Sequence, residues 1–89
     1  MRHEYLRARP DPIPALKQQL GDTLAELLKE GNADDIAAFI GTDRPRVSEL
    51  RRRKLTRFSL ETLIRYLDRL DHRIEINVTR ARPNFRRHK

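Results

Sequence analysis

The stretch DDIAAFIGTDRPRVSELRRRK, residues 34–54, contains the pattern that decides the fold. Its apolar residues recur at helical spacing in two groups, Ile36, Ala37 and Ile40, then Val47 and Leu50. Gly41 lies between the groups, where a first helix can end and the chain can turn. Asp43 is suited to cap a second helix, and Pro45 fits its first turn because that turn does not use the missing N–H. Two short helices joined by a tight turn are therefore predicted.

Longer amphipathic helices are predicted on both sides of this pair. The helix before it runs from about Pro14 to Glu30, on leucines spaced three or four apart: Leu16, Leu20, Leu24, Leu27 and Leu28. Gly21 weakens that helix and allows a local irregularity. Asn32 can cap the first helix of the pair, and Ser59 can cap a last helix. The buried face of the last helix is predicted to contain Leu60, Leu63, Ile64, Leu67 and Leu70.

The apolar period changes from helical to alternating after the last helix. Ile74, Ile76 and Val78 alternate with polar residues, which predicts one short β-strand. A lone strand leaves its backbone groups unpaired, and the sequence contains no second strand. We therefore expect this strand to pair with its copy in a second subunit, which makes the protein a homodimer.

The length of 89 residues fits one small domain. We expect a flexible N-terminal arm over residues 1–14 and a basic, disordered tail over residues 81–89. Residues 15–80 should form an all-α bundle of four to five helices with the single C-terminal strand. So short a chain has a marginal core, and oligomerisation is the form of stabilisation left to a chain without cysteine.

The positive charge of the chain is concentrated in two blocks. The net charge is +7, and the sequence pI is about 10.8. Residues 44–57 contain seven Lys or Arg and one Glu, a net +6, and residues 80–89 contain five Lys or Arg and no acid, a net +5. Clustered cations of this kind indicate a polyanionic partner.

Several classes of protein lack support in the sequence. No cysteine is present and the three histidines lie far apart, so neither a metal nor a cofactor is expected. The sequence has no glycine-rich phosphate loop and no nucleophile elbow, which argues against an enzyme. No apolar run approaches the roughly 20 residues that cross a bilayer, and no signal-peptide core is present. We expect a soluble cytoplasmic protein.

The predicted helix pair matches the helix-turn-helix pattern, in which the second helix enters the major groove of DNA. A close helix crossing requires a small residue such as Ala37, and the turn requires Gly41. Val47 and Leu50 can anchor the second helix, so that its polar edge faces outward. Double-stranded DNA is therefore the predicted partner, and it would associate the protein with the nucleoid. The basic tail either grips DNA as well or only solubilises the protein.

Two blocks of the sequence also resemble a known family: DDIAAFIGTDRPRVSELRRRK and RFSLETLIRYLDRLDHRIEINV. Residues from about 15 to 80 resemble the XRE family, the Cro/repressor-like helix-turn-helix regulators, and the second block is similar to HigA-type antitoxins. This resemblance implies a dimeric repressor that binds an operator, often that of its own operon. In the antitoxin case it implies capture of a RelE-like ribonuclease toxin.

The resemblance also assigns roles by position. The implied base-reading residues are Arg44, Pro45 and Glu49, with Arg46 and Ser48 beside them. The implied phosphate-contacting residues are Arg53, Lys54, Thr56 and Arg57. Arg52 joins them because the cationic run 51–54 wraps around the helix and cannot all enter one groove. Glu49 could instead hold Arg46 or Arg53 across one helical turn.

Three positions depart from the family pattern. Ala33 replaces a frequent glutamine, so a backbone-bracing contact is missing. Arg53 replaces a glycine, and it must either adopt an unfavourable turn conformation or let the helix continue. Asp71 replaces another glycine, where it is tolerable as a left-handed residue.

Other readings stay open. Within the same chemistry, the protein could be a free-standing regulator without a toxin. A different class is a non-specific nucleic-acid or protein-interaction module that uses the basic blocks without reading bases. Phe39 lies on the usually exposed side of its helix, where it is either a peripheral packing residue or part of a partner surface.

Overall fold

The computed structural model describes residues 11–79 and contains four α-helices there. They are α1 (Pro12–Leu27), α2 (Ala33–Ile40), α3 (Arg44–Arg51) and α4 (Leu60–Arg69). Helix α1 packs against α3 and α4, and α2 packs against the same two helices. The prediction of an all-helical bundle is confirmed for this part of the chain. The predicted tail and the first ten residues of the predicted arm lie outside the described residues.

Helix α1 begins and ends earlier than predicted. Its first residue is Pro12, because Asp11 caps it by accepting a hydrogen bond from the backbone N–H of Ile13 at 3.1 Å. Prolines at the start of a helix lose no hydrogen bond, so they do not delay it. The last residue is Leu27 instead of Glu30. Residues 12–14, predicted to be part of a flexible arm, are thus the first turn of α1.

Gly21 lies within α1 without interrupting it. A Cβ atom at this position would come within 2.3 Å of Cδ1 of Leu55, which is closer than real Cβ atoms approach. The absence of a side chain therefore makes room for Leu55, which anchors the loop between α3 and α4. The local irregularity that this glycine allows is not present.

The predicted caps of the other three helices are confirmed. Oδ1 of Asn32 accepts from the N–H groups of Asp34 and Asp35 at 2.8 and 3.0 Å. The Asp43 carboxylate accepts from the N–H of Arg46 at 3.0 Å, and Ser59 Oγ accepts from the third residue of α4 at 3.1 Å. Each cap satisfies donors that a helix start leaves free.

The core is apolar and lies between the four helices. Its most deeply buried side chains are Leu24, Leu28, Val47, Leu50 and Leu63. The ring of Phe58 contacts Tyr66 edge-on, with centroids 6.2 Å apart. The Tyr66 hydroxyl reaches outward and donates to Oγ1 of Thr42 at 3.1 Å, which ties α4 to the turn between α2 and α3.

Residues 73–79 form no strand in the described single chain. Ile74 packs against the core, whereas Ile76 and Val78 are 76% and 91% exposed. A strand needs the backbone of a partner, and residues 11–79 contain no second strand to supply it. The described residues therefore do not contain the strand predicted at these three residues, and its pairing with a second copy stays a prediction. No helix within residues 11–79 has the length and apolarity to span a membrane.

Candidate nucleic-acid interface

The turn between α2 and α3 has the geometry that places two helices across each other. Gly41 adopts a left-handed conformation with φ of 81°, which glycine tolerates best. The N–H groups of Gly41 and Thr42 both donate to the carbonyl of Ala37, at 2.9 and 2.8 Å. Ala37 is buried. The left-handed backbone of Gly41 turns the chain as predicted, and the need for a small residue at Ala37 stays a prediction.

Helix α3 turns its apolar side inward and its polar side outward. Val47 and Leu50 are both 0% exposed. Arg44 and Pro45, in the first turn, are exposed, and Arg46, Ser48 and Glu49 are partly buried. The polar edge that begins at Arg44 is thus not packed into the interior of the described chain.

Arg46 is less free than Arg44. Its guanidinium carbon lies 5.5 Å from the centre of the Phe58 ring, within the range of a cation–π contact. The contact holds the charged group near the start of α4. Arg44 has a 68% exposed side chain, and its Nε lies 3.8 Å from Oδ1 of Asp34. Of the two arginines, Arg44 is therefore the one whose side chain is freer to extend away from the protein.

Glu49 pairs with Arg57 instead of Arg46 or Arg53. Its Oε2 lies 3.9 Å from Nη1 of Arg57, and its side chain is only 27% exposed. Oε1 is buried and has no hydrogen-bond partner among residues 11–79. One carboxylate oxygen thus points away from any groove that α3 could enter. The remaining oxygen orients a cation of the following loop.

The three consecutive arginines at the end of α3 have different partners. Arg51 donates from Nε to the carbonyl of Leu28 at 2.6 Å and from Nη2 to the carbonyl of Gly31 at 2.7 Å. It therefore closes the C-terminal end of α1 and is a structural residue. Arg52 is exposed and donates to Oγ of Ser48 at 2.9 Å. No pattern in the sequence separates these two arginines, because the carbonyl partners of Arg51 lie far away along the chain.

Arg53 takes the unfavourable turn conformation, so the helix does not continue through it. Its φ is 57°, and its Nε donates to Oδ1 of Asp22 on α1 at 2.9 Å. Asp71, after α4, has a φ of 60°, as predicted for its position. Both residues adopt a backbone conformation that glycine would adopt with less strain.

The loop between α3 and α4 presents its polar residues outward. Leu55 and Phe58 are buried and hold the loop against the core. Lys54, Thr56 and Arg57 lie between and beside these anchors, and all three are exposed. Arg52 and Arg53 are exposed as well. The five predicted phosphate-contacting residues therefore lie in one exposed segment, which directly follows the polar edge of α3. Whether they contact phosphate stays a prediction.

The fold and this surface define the class of protein. Two crossed helices, a three-residue turn and an exposed polar edge on the second helix form a helix-turn-helix unit. A family model described as "Helix-turn-helix domain" matches residues 7–79, and the chain belongs to this family. No curated protein and no solved structure matched the chain. Membership in this family indicates a DNA-binding regulator; the finer resemblance to XRE regulators and HigA-type antitoxins stays a hypothesis.

Proposed function

We propose that the protein is a sequence-specific transcriptional repressor that binds operator DNA as a homodimer. The single observation that carries this proposal is the exposed first turn of α3, anchored from behind by Val47 and Leu50 and followed by a cationic loop. The proposed activity is binding, with no catalysed reaction, and its proposed place is the cytoplasm.

Base reading is assigned mainly to Arg44. Its planar guanidinium can donate to O6 and N7 of guanine together, and such a bidentate contact contributes about 1–3 kcal/mol of discrimination. Pro45, Arg46 and Ser48 lie beside it on the same edge. Arg52, Lys54 and Arg57 are better placed for phosphates, which fix register without reading sequence. Variants of the base-reading residues should therefore change sequence preference, whereas variants of the phosphate-contacting residues should change affinity for every sequence.

The proposed dimer joins the two C-terminal segments. An open groove between α1, α4 and residues 74–77 is lined by apolar side chains, among them Leu16, Leu20, Leu60, Ile64, Ile74 and Ile76. The exposure of Ile76 and Val78 would be relieved if the same segment of a second subunit paired alongside. Two subunits related by a two-fold axis would present two copies of α3 to a palindromic operator.

The finer proposal is that the repressor is the antitoxin of a HigBA-like toxin–antitoxin module and represses its own operon. The resemblance of residues 15–80 supports it, and Phe39, 58% exposed on α2, offers an aromatic group to a protein partner. A co-expressed RelE-like ribonuclease should co-purify with the protein, and Phe39→Ser should reduce that recovery. A protein that represses but retains no such partner is a free-standing regulator.

Selection from a randomised pool of DNA duplexes tests the main proposal. The selected duplex should bind at least about a thousand-fold more tightly than a scrambled duplex. Arg44→Ala should lower this ratio, whereas Arg57→Gln should weaken binding to both duplexes and flatten the salt dependence. A wild-type ratio near one would instead identify a non-specific nucleic-acid or protein-interaction module.

A further inference from the structure

Several arginines of the predicted DNA-binding surface form ion pairs with carboxylates. Four ion pairs join side chains within residues 11–79, and three of them include a predicted DNA-contacting arginine. Those three pairs are Arg53–Asp22 at 2.9 Å, Arg44–Asp34 at 3.8 Å and Arg57–Glu49 at 3.9 Å. In each pair the two residues belong to different helices or to a helix and a loop. The fourth pair, Lys29–Glu26, lies at the C-terminal end of α1.

We propose that Asp22, Asp34 and Glu49 compete with DNA phosphates for these arginines and thereby lower sequence-independent binding. An arginine that contacts a carboxylate must give up or share that contact when it meets a phosphate. This competition opposes binding to any DNA sequence whose backbone would take up the arginine. The proposal rests on DNA binding by this surface, and it does not require that bases are read.

These ion pairs are strong enough to oppose a phosphate contact but weaker than a bidentate contact with guanine. An exposed ion pair changes an equilibrium by at most about five-fold. A bidentate contact with guanine changes it by about 5- to 150-fold. A guanine can therefore take Arg44 away from Asp34, whereas a single weak phosphate contact gains little by doing so. Asp34 thus opposes a phosphate contact by Arg44 without preventing its contact with guanine.

Asp22 gives the clearest test because its pair is the shortest. Oδ1 accepts a charge-assisted hydrogen bond from Nε of Arg53, and the two side chains are 50% and 45% exposed. The same oxygen accepts from Nε2 of Gln18 at 3.0 Å. An amide oxygen can still accept the bond from Gln18, so Asp22→Asn removes the charge with little change in local structure.

The experiment compares Asp22→Asn with the wild-type full-length protein on a random-sequence duplex over a range of salt concentrations. The variant should bind about three- to five-fold more tightly at low salt. Its plot of log K against log salt should be steeper by up to about 0.9, the slope of one further phosphate contact. Glu26→Gln is the matched control, since it makes the same charge change in the same helix at a pair without a DNA-contacting residue. The proposal is overturned if Asp22→Asn weakens binding or matches Glu26→Gln.

A double-variant cycle separates competition from a general charge effect. In an Arg53→Gln background, Asp22→Asn should lose most of its effect on DNA affinity, because the competed arginine is absent. An unchanged effect would show that Asp22 acts only through net charge and would overturn the proposal. Circular dichroism of every variant should match that of the wild type.

The same measurements distinguish this proposal from the proposed function. Asp34→Asn should raise affinity for a selected duplex at least as much as for the random duplex, because a guanine contact always takes Arg44 from Asp34, whereas on a random sequence Arg44 can stay paired. A wild-type ratio near one, together with tighter binding by Asp22→Asn, would reject sequence-specific repression and leave the competition intact. A large wild-type ratio without any gain in Asp22→Asn would support the repressor and reject the competition.

Discussion

Arg51 and Arg52 are adjacent arginines for which the structure predicts opposite roles. Substitution of Arg51 with alanine removes two hydrogen bonds to carbonyl groups after α1, those of Leu28 at 2.6 Å and Gly31 at 2.7 Å. A hydrogen bond to a charged group contributes about 1.5–3 kcal/mol. The bond to Leu28 is partly buried and should contribute about 2 kcal/mol to the free energy of unfolding. The bond to Gly31 is exposed and should contribute less, because water can replace it in the variant. We expect Arg51→Ala to lower the free energy of unfolding by about 2–3 kcal/mol.

Thermal and urea unfolding, followed by circular dichroism, measure this loss. A domain of this size changes its Tm by about 4–8 °C per kcal/mol, so Arg51→Ala should melt about 10–20 °C lower. Arg52→Ala is the control, since within residues 11–79 the Arg52 side chain bonds only to Ser48 at the surface and should contribute less than about 0.5 kcal/mol.

In DNA binding, Arg52→Ala should have the larger effect, whereas Arg51→Ala has the larger effect on stability. Arg52→Ala should weaken binding to every duplex and reduce the salt slope, because a phosphate contact is lost. Folded Arg51→Ala, measured well below its Tm, should keep the wild-type salt slope. Equal stability of the two alanine variants would refute the structural role of Arg51.

Three further variants test the fold and the assembly. Gly21→Ala should lower stability by about 1–2 kcal/mol, because crowding of Leu55 outweighs the gain in helix propensity, and Leu55→Ala should relieve that loss in urea unfolding. Arg53→Gly should be about 1 kcal/mol more stable than Arg53→Ala in thermal unfolding, the reverse of the order inside a helix, because of the left-handed backbone. Ile76→Asp should shift the protein from dimer to monomer in analytical ultracentrifugation, while a dimer that persists would contradict pairing of the C-terminal segments.

Helix starts and turns could be predicted from the sequence because they depend on neighbouring residues. Asn32, Asp43 and Ser59 each accept hydrogen bonds from N–H groups two or three residues later, and such short-range chemistry is visible in the residue order. The left-handed backbone of Asp71 also followed from its position after a helix. The start of α1 differs from the prediction because three prolines in five residues are typical of an arm, whereas prolines in a first helical turn lose no hydrogen bond.

Contacts between distant segments could not be predicted from one sequence. Arg51 bonds to carbonyl groups 20 and 23 residues away, and nothing in the run of cations distinguishes it from its neighbours. Gly21 was interpreted as a weakness of α1, whereas its role depends on Leu55 in another part of the fold. The pairing of Glu49 with Arg57 likewise depends on how the loop after α3 folds back.

The predicted strand requires a backbone partner, and residues 11–79 of a single chain do not supply one. The alternation of Ile74, Ile76 and Val78 has the period of a strand, but a strand forms only when its backbone groups are paired. One subunit leaves the last two of these side chains exposed. The sequence pattern therefore leads to a prediction about assembly, which the ultracentrifugation of Ile76→Asp addresses.

Replacement of single guanines by 7-deazaguanine in a selected duplex tests the central claim that the first turn of α3 reads bases in the major groove. The substitution removes N7, a major-groove acceptor, and leaves Watson–Crick pairing intact. At one or more positions it should weaken wild-type binding by about 1–3 kcal/mol, and this loss should disappear in Arg44→Ala. Full affinity at every substituted position would contradict recognition of guanine by α3.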